Sequence, residues 1–173
     1  MRAIVTILLL LTAIVSIGAK TRYGSWRQAT EKELGGLIPA RAPVERERIE
    51  TEMRTASGVT DGQGKFIFAV VLITAGYSAD GKYSHFFITQ VPIKIGDVTL
   101  KPGEYVFGYK RAADSEALDV KFYHASSGAF VAAIKAQIGS KSGPIRSLLI
   151  TPPGSDKSIV QIGRFSFDYK LAE

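Results

Sequence analysis

The stretch RFSFDYKL, residues 164–171, decides the fold class of this 173-residue chain. Large apolar side chains alternate with polar ones along it, which places Phe165, Phe167 and Tyr169 on one face of an extended strand. This period of two is typical of a β-strand that buries one face. The alternation slips by one residue at Gly163, and we therefore expect a β-bulge at that glycine.

Further strands are predicted upstream, from residue 44 onward. Residues 65–77, KFIFAVVLITAGY, form an apolar run rich in β-branched residues, which indicates a strand buried on both faces. Residues 118–124, LDVKFYH, again alternate with a period of two. Tight turns are predicted between such strands at three dipeptides, the last of them as a type II turn: Asp80-Gly81, Gly96-Asp97 and Pro102-Gly103.

These signals amount to about eight or nine short strands with at most one helix. Short strands joined by turn residues predict an all-β fold, which we interpret as an antiparallel β-sandwich. A closed lipocalin-like β-barrel is the alternative. The pattern contains no internal repeat, so residues 44–173 are expected to form one β-sandwich domain.

Residues 19–43 are the least strand-like part of the chain, and we expect a short N-terminal helix followed by a connector. Ser25 and Gln28 have the spacing of a helix N-terminus in which two side chains cap the backbone reciprocally. The glycine pair at 35–36 predicts the end of that helix. Residues 37–43, LIPARAP, are expected to be extended because they contain two prolines.

Residues 44–55, VERERIETEMRT, fit either a helix or a strand. In a helix, Arg46 and Glu50 would form one of several i,i+4 ion pairs. In a strand, Ile49 and Met53 would share one face with two threonines, while charged residues would occupy the other face. Because a helix would scatter the apolar positions, we predict a charged edge strand.

The first 18 residues predict a secretory signal peptide. Met1-Arg2 gives a positive start, and Ala3–Ile17 is an apolar run shorter than the roughly 20 residues of a membrane-spanning helix. We expect cleavage after Gly18 or Ala19 and no membrane span in the mature chain. The predicted location is therefore secreted or periplasmic.

The composition excludes several function classes. The chain has no cysteine, which excludes thiol catalysis, thiolate zinc sites and a lipid-modified cysteine anchor. Its formal net charge of +6 becomes +5 if Arg2 is removed with the signal peptide, and the basic residues are scattered. Scattered charge predicts a solvated basic exterior and no nucleic-acid binding. No phosphate-cradling glycine motif is present, and we expect no cofactor.

Residues 98–109, VTLKPGEYVFGY, contain an aromatic ladder that could form either a binding platform or a core. Tyr105, Phe107 and Tyr109 share one face of the predicted strand. The opposite face carries glutamate, glycine and lysine, which could scarcely form a core. We therefore expect the rings to be buried, with the hydroxyl of Tyr109 at a rim.

The two histidines of the chain, His85 and His124, are the first candidates for chemistry. Neither has a partner at metal-site spacing, and no nucleophile motif is present. We therefore predict no catalytic residue, no metal ligand and no enzymatic activity, and expect both to be packing or rim histidines. If either acts chemically, we expect it to be His85, near Asp80 across the predicted hairpin.

Two short motifs resemble known families. Gly24-Ser25-Trp26 has the G-x-W form seen at the start of lipocalins, and that resemblance implies a barrel that carries an apolar small molecule. Residues 100–105, LKPGEY, resemble the turn of transthyretin-like and carboxypeptidase-regulatory-like modules. More widely, residues 48–58, 71–93 and 160–169 resemble a group of secreted bacterial β-sandwich proteins of unknown function. That resemblance implies the fold and the location but no activity.

We therefore expect a secreted, non-enzymatic module that binds an unknown protein or glycan partner. The alternative is a lipocalin-like carrier of an apolar small molecule. Neither expectation specifies an oligomeric state. The candidate ligand-binding residues are aromatic or imidazole side chains at strand ends: Trp26, His85, Tyr109 and His124.

Overall fold

The structure is a computed structural model and describes residues 26–74, 81–113, 116–139, 144–154 and 158–172. One short helix, α1, and thirteen strands, β1 to β13, lie within these ranges. The helix is Glu31–Gly35 and the strands in order are Arg27–Gln28, Arg41–Val44, Glu47–Thr60, Phe66–Leu72, His85–Thr89, Ile93–Ile95, Val98–Leu100, Gly103–Arg111, Ala117–His124, Phe130–Ile138, Arg146–Ile150, Ser158–Gly163 and Phe165–Leu171.

All strand pairings are antiparallel, and the sheet curls into a half-barrel. Its main path runs β1-β3-β4-β5-β8-β9-β10-β13-β12-β11, with β2 attached to β3 and the β6–β7 hairpin attached to β13. The prediction of an antiparallel all-β fold with one short helix is therefore confirmed. The strands outnumber the prediction partly because the expected connector contains β2 and the C-terminal segment folds back on itself.

A side-chain hydrogen bond links the two ends of the curled sheet. Strand β11, the last on the path, packs against β3 and β4 near the first end. The backbone N–H of Ile150 in β11 donates to the buried Oγ of Ser57 in β3 at 2.9 Å. This seam replaces the continuous strand ladder that would close a complete barrel.

The inner core fills the concave side of the sheet. The rings of Phe87, Phe107, Phe122 and Phe167 meet there, with edge-to-face pairs such as Phe122 and Phe167 at 5.9 Å between centroids. Tyr105 and Phe107 are buried among them, so the prediction that the aromatic ladder is a core is confirmed for these two rings.

An outer core lies on the other side of β3, β4, β5 and β8, where α1 and β2 supply apolar side chains. Val106 and Gly108 are buried on this side, so the expectation that the face opposite the ladder could not be core was wrong. The reason is non-local: the backbone of Gly81 and Lys82 crosses directly over Gly108. A Cβ at Gly108 would lie 2.5 Å from the carbonyl oxygens of those two residues.

The N-terminal helix begins later than predicted. Thr30 is its N-cap, and the Thr30 and Glu33 side chains form a reciprocal capping box. Gln28 instead belongs to β1, so the predicted start with Ser25 and Gln28 was wrong; Ser25 itself lies outside the described residues. The predicted end at glycines 35–36 is confirmed, since Gly36 is the C-cap.

Residues 47–60 form strand β3, which confirms the strand interpretation of the charged segment. It is hydrogen-bonded to β2, β4 and β1 along different stretches, so it is not the free edge strand that was expected. The register with β4 shifts between Glu52 and Ser57. Because this shift interrupts the alternation, Ile49 is buried as predicted but Met53 is exposed.

Two of the predicted backbone features at glycines were wrong. Gly163, with φ of 60°, and Arg164 form the two-residue turn between the paired residues Ile162 and Phe165. The nearby β11–β12 irregularity has its extra residue on β11, between Arg146 and Leu149, and not at Gly163. Gly103 has no positive φ and starts β8, so a type II turn at Pro102-Gly103 does not form. The turn at Gly96-Asp97 is confirmed between the paired residues Ile95 and Val98.

Several expectations fall outside the described residues. These include the signal peptide at residues 1–18 and Asp80 of the predicted hairpin turn. Within the described ranges, none of the helical structure is long and apolar enough to cross a membrane.

Candidate functional site

A cavity of about 600 Å³ opens at one end of the half-barrel. We call it the His85 cavity. It lies where β4 and β8 end, β5 and β9 begin, and the β12–β13 turn meets the segment before β11. Two of the four sequence-predicted ligand residues, His85 and Tyr109, line it; the other lining residues include Ser84, Arg111, Leu118, Ile145, Ile162, Arg164 and Phe165.

His85 is the first residue of β5, and its side chain points to the inner core. Its ring stacks on Phe107 of β8, with 4.5 Å between ring centroids and 7° between ring planes. The two residues are directly opposite each other in the β5–β8 ladder, which explains the contact. Only 3% of His85 is exposed, and this burial lowers its pKa to about 3. The imidazole is therefore neutral at physiological pH.

Ser84 determines which nitrogen of His85 carries the proton. Its Oγ lies 2.8 Å from Nδ1 of His85 and 3.2 Å from the backbone carbonyl of Phe107. If Oγ donates its single proton to the carbonyl, Nδ1–H can donate to Oγ, and both contacts are hydrogen bonds. If Oγ donates to Nδ1, the contact with the carbonyl is lost. The additional hydrogen bond favours the tautomer protonated on Nδ1.

The other ring nitrogen of His85 is left as a buried acceptor. Nε2 is the one buried side-chain polar atom in the described part of the chain that has no hydrogen-bond partner. An unpaired buried polar atom is costly and uncommon in folded proteins. Because His85 lines the cavity, this unpaired nitrogen is a candidate ligand contact.

The rim of the cavity combines aromatic, cationic and apolar groups. Tyr109 is half-buried, and its ring lies 6.0 Å from that of His85. The guanidinium of Arg111 lies over the ring of Phe165 at 5.5 Å, an arrangement that keeps a cation at the entrance. Ile145, a large apolar side chain, is 60% exposed there.

The other two predicted ligand residues lie elsewhere. His124 is exposed at the end of β9, towards the opposite end of the sheet, and its ring packs on Tyr105 at 5.2 Å. Trp26 is half-buried against the inner core, just before β1 pairs with the end of β3. Neither lines the His85 cavity.

Sequence reasoning missed Ser84 and Arg111 as members of the site. The adjacency of Ser84 to His85 was a possible signal, but its hydrogen bonds depend on the β5–β8 register. Arg111 reaches the entrance because the strand β8 continues two residues beyond Tyr109.

The Ser84–His85 contact differs from that of a catalytic nucleophile and its base. The Ser84 hydroxyl is itself buried and is directed to a backbone carbonyl, whereas a nucleophile must reach its substrate. Asp80, the partner proposed for a catalytic His85, lies outside the described residues. Across the described ranges, no group of three or more histidines and carboxylates is placed to hold a metal ion.

Comparison with known proteins gives no further assignment. No protein-family model, curated protein or solved structure matches the chain. The resemblances to lipocalins, to transthyretin-like modules and to secreted bacterial β-sandwich proteins therefore stay predictions.

Proposed function

We propose that this protein is a non-enzymatic binding module whose ligand is a small apolar molecule with a hydroxyl group. The single observation that carries the proposal is the buried Nε2 of His85, which has no partner and belongs to a residue that lines a cavity. A ligand hydroxyl donates to this nitrogen, while the rest of the ligand covers apolar surface.

The shape and lining of the cavity support a small molecule at this position. Its volume falls within the range of ligand pockets in proteins, and such pockets are apolar with a few polar groups that orient the ligand. Here Leu118, Ile162 and Phe165 supply apolar surface, and His85 supplies the orienting group. A protein or glycan partner, the first expectation from the sequence, stays a prediction that the contacts of His85 do not test.

The entrance favours an anionic substituent at the outer end of the ligand. Arg111 and Arg164 both line the cavity, and both are exposed. Guanidinium groups bind carboxylates with paired hydrogen bonds. The proposed ligand is therefore amphiphilic, with its hydroxyl at the His85 end and its anionic group at the rim.

Calorimetric titration with a matched pair of ligands tests the proposal. The ligand ω-hydroxydecanoate carries a hydroxyl at the end that enters the cavity, whereas decanoate lacks it. We expect about tenfold tighter binding of the hydroxylated ligand, since one hydrogen bond to a buried group contributes roughly 1.4 kcal/mol. His85→Phe keeps a ring on Phe107 but removes both nitrogens, and should abolish the preference.

His124→Gln is the matched control, because it replaces the exposed histidine outside the cavity and should keep the tenfold preference. Equal affinity of the wild-type protein for both ligands, or binding of neither, would contradict the proposal.

We also propose that the module acts in the secreted or periplasmic space, supported by the apolar run of residues 3–17. Protein recovered from that fraction should begin at Ala19 or Lys20, and a start at Met1 would contradict export.

A further inference from the structure

A second, basic depression lies on the outer face of the sheet. We call it the lysine groove. It has a volume of about 620 Å³, and four lysines line it with one acidic residue. The lysines are Lys82, Lys110, Lys121 and Lys135, and the acidic residue is Asp119.

The strand register brings these lysines together. Lys110 of β8 and Lys135 of β10 both pair with Asp119 of β9, so they lie two strand spacings apart, about 10 Å. Lys121 is two residues further along β9, about 7 Å from Asp119 along the strand. It pairs with Ala133 on one side, whose small side chain lines the groove, and with Gly108 on the other, where the backbone of Gly81 and Lys82 passes over the strand and forms one wall.

Acidic neighbours offset only part of this charge. Asp119 forms an ion pair with Lys135 at 3.0 Å, and Glu45 lies 3.7 Å from the ammonium of Lys82. Lys110 and Lys121 are exposed and have no ion pair with any residue in the described ranges. Like charges that converge on a concave surface raise the local potential and attract anions.

An exposed aromatic ring continues the groove along the same face. Tyr123 lines the groove, and its cross-strand partner Phe130 packs edge-on against it at 5.9 Å. Phe130 is 60% exposed, so the ring is accessible to a ligand beside the groove. A flat apolar ring beside cations can hold the apolar face of a sugar ring while the cations bind acidic substituents.

We propose that the lysine groove binds an acidic polysaccharide, with carboxylate or sulfate groups on Lys110 and Lys121 and a sugar ring on Phe130. Ammonium groups are point charges that suit single anionic groups separated along a chain. A single-stranded nucleic acid fits less well, because its successive bases stack on a series of aromatic platforms, whereas Phe130 offers one exposed ring beside the groove. The site is independent of the His85 cavity, which shares none of its lining residues.

Affinity electrophoresis of the purified protein in gels with immobilised polysaccharide tests this inference. We expect retardation by dextran sulfate and by polygalacturonate, and none by neutral dextran. The double variant Lys110→Gln/Lys121→Gln should weaken both interactions about tenfold, since it removes the two ion pairs that these lysines would form with anionic groups of the polysaccharide. Phe130→Ala should weaken them several-fold without changing their dependence on salt, because no charge is removed.

The control is Lys94→Gln/Lys170→Gln, which changes the net charge equally but at a cross-strand pair on β6 and β13 that does not line the lysine groove. It should retain wild-type affinity within about twofold. An equal loss in the control would show that net charge alone drives binding and would overturn the inference. Absence of binding to both acidic polysaccharides would overturn it too, as would equally tight, lysine-dependent binding of a single-stranded DNA or of phosphatidylglycerol vesicles.

Discussion

The two ends of the half-barrel each carry a histidine on the inner face of the sheet, but in different environments. At one end, His124 packs on Tyr105 in contact with solvent, and the Tyr105 hydroxyl donates to the carbonyl of Lys101 at 2.8 Å. At the other end, His85 is enclosed, stacks on Phe107 and retains a buried acceptor without a partner. The same residue type is therefore a packing group at one end and a candidate ligand contact at the other.

The comparison shows that burial without a partner, more than residue type, distinguishes the candidate ligand contact from the packing histidine. Both histidines sit in strands beside aromatic rings, so their sequence contexts are alike. Their difference comes from which strand ends surround them. Polar atoms in a folded core normally have partners, and the exception in the described residues lies beside a cavity.

The largest expected effect distinguishes the two ends of strand β8. Gly108→Ala would place a methyl group 2.5 Å from the backbone of Gly81 and Lys82, which cannot move like a side chain. We expect a loss of about 3 kcal/mol in the free energy of unfolding. At the start of β8, the added methyl group of Gly103→Ala would contact the Tyr105 ring at 3.6 Å, which is an ordinary van der Waals distance. We expect this variant to gain about 0.5 kcal/mol in the free energy of unfolding, because alanine lowers the backbone entropy of the unfolded chain. Urea unfolding of both variants measures the contrast, and similar values for the two would contradict it.

A smaller effect is the pH dependence that the burial of His85 gives to the stability of the protein. Burial holds the folded-state pKa of His85 at about 3, below its unfolded value of 6.5. The unfolded chain therefore binds more protons between these values, and stability is full above pH 6.5 and falls as the pH decreases. His85 alone should account for a loss of about 2 kcal/mol between pH 8 and 5, most of it below pH 6.5.

His85→Phe should remove this loss, and His124→Gln should keep it, in urea unfolding curves recorded at each pH. The window avoids Glu33, whose pKa the Arg27 hydrogen bonds lower to about 2 from 4.5, so that its contribution is lost only at lower pH. An unchanged slope in His85→Phe would show that His85 does not have the lowered pKa.

Local sequence signals predicted much of the fold. Alternation predicted the strands, their buried rings Tyr105 and Phe107, and the Gly96-Asp97 turn, because each depends on residues that are adjacent in sequence. The burial of Gly108 was not predicted, since it arises from a segment about 27 residues earlier that crosses the strand. The prediction of a bulge at Gly163 was wrong because both a bulge and a tight turn interrupt the alternation of apolar and polar residues, so the sequence does not distinguish them.

The candidate site was predicted only in part, for a similar reason. His85 and Tyr109 could be selected by residue type and position in a strand. The pairing register decides at which end of the sheet each strand terminus lies. It places Trp26 and His124 away from the cavity. The contributions of Ser84 and Arg111 likewise follow from the positions of β5 and β8 relative to each other.

The smallest expected loss concerns the seam between β3 and β11, which lies in the same ladder rows as His124. Ser57→Ala leaves the buried N–H of Ile150 without its acceptor, and we expect a loss of about 1.5 kcal/mol in the free energy of unfolding. Ser57→Thr retains a hydroxyl and is the matched control. Because the seam and His85 share no contact, the pH dependence assigned to His85 should persist in Ser57→Ala. A flattened pH dependence in that variant would show that the two ends of the half-barrel are coupled, and would remove the contrast between them.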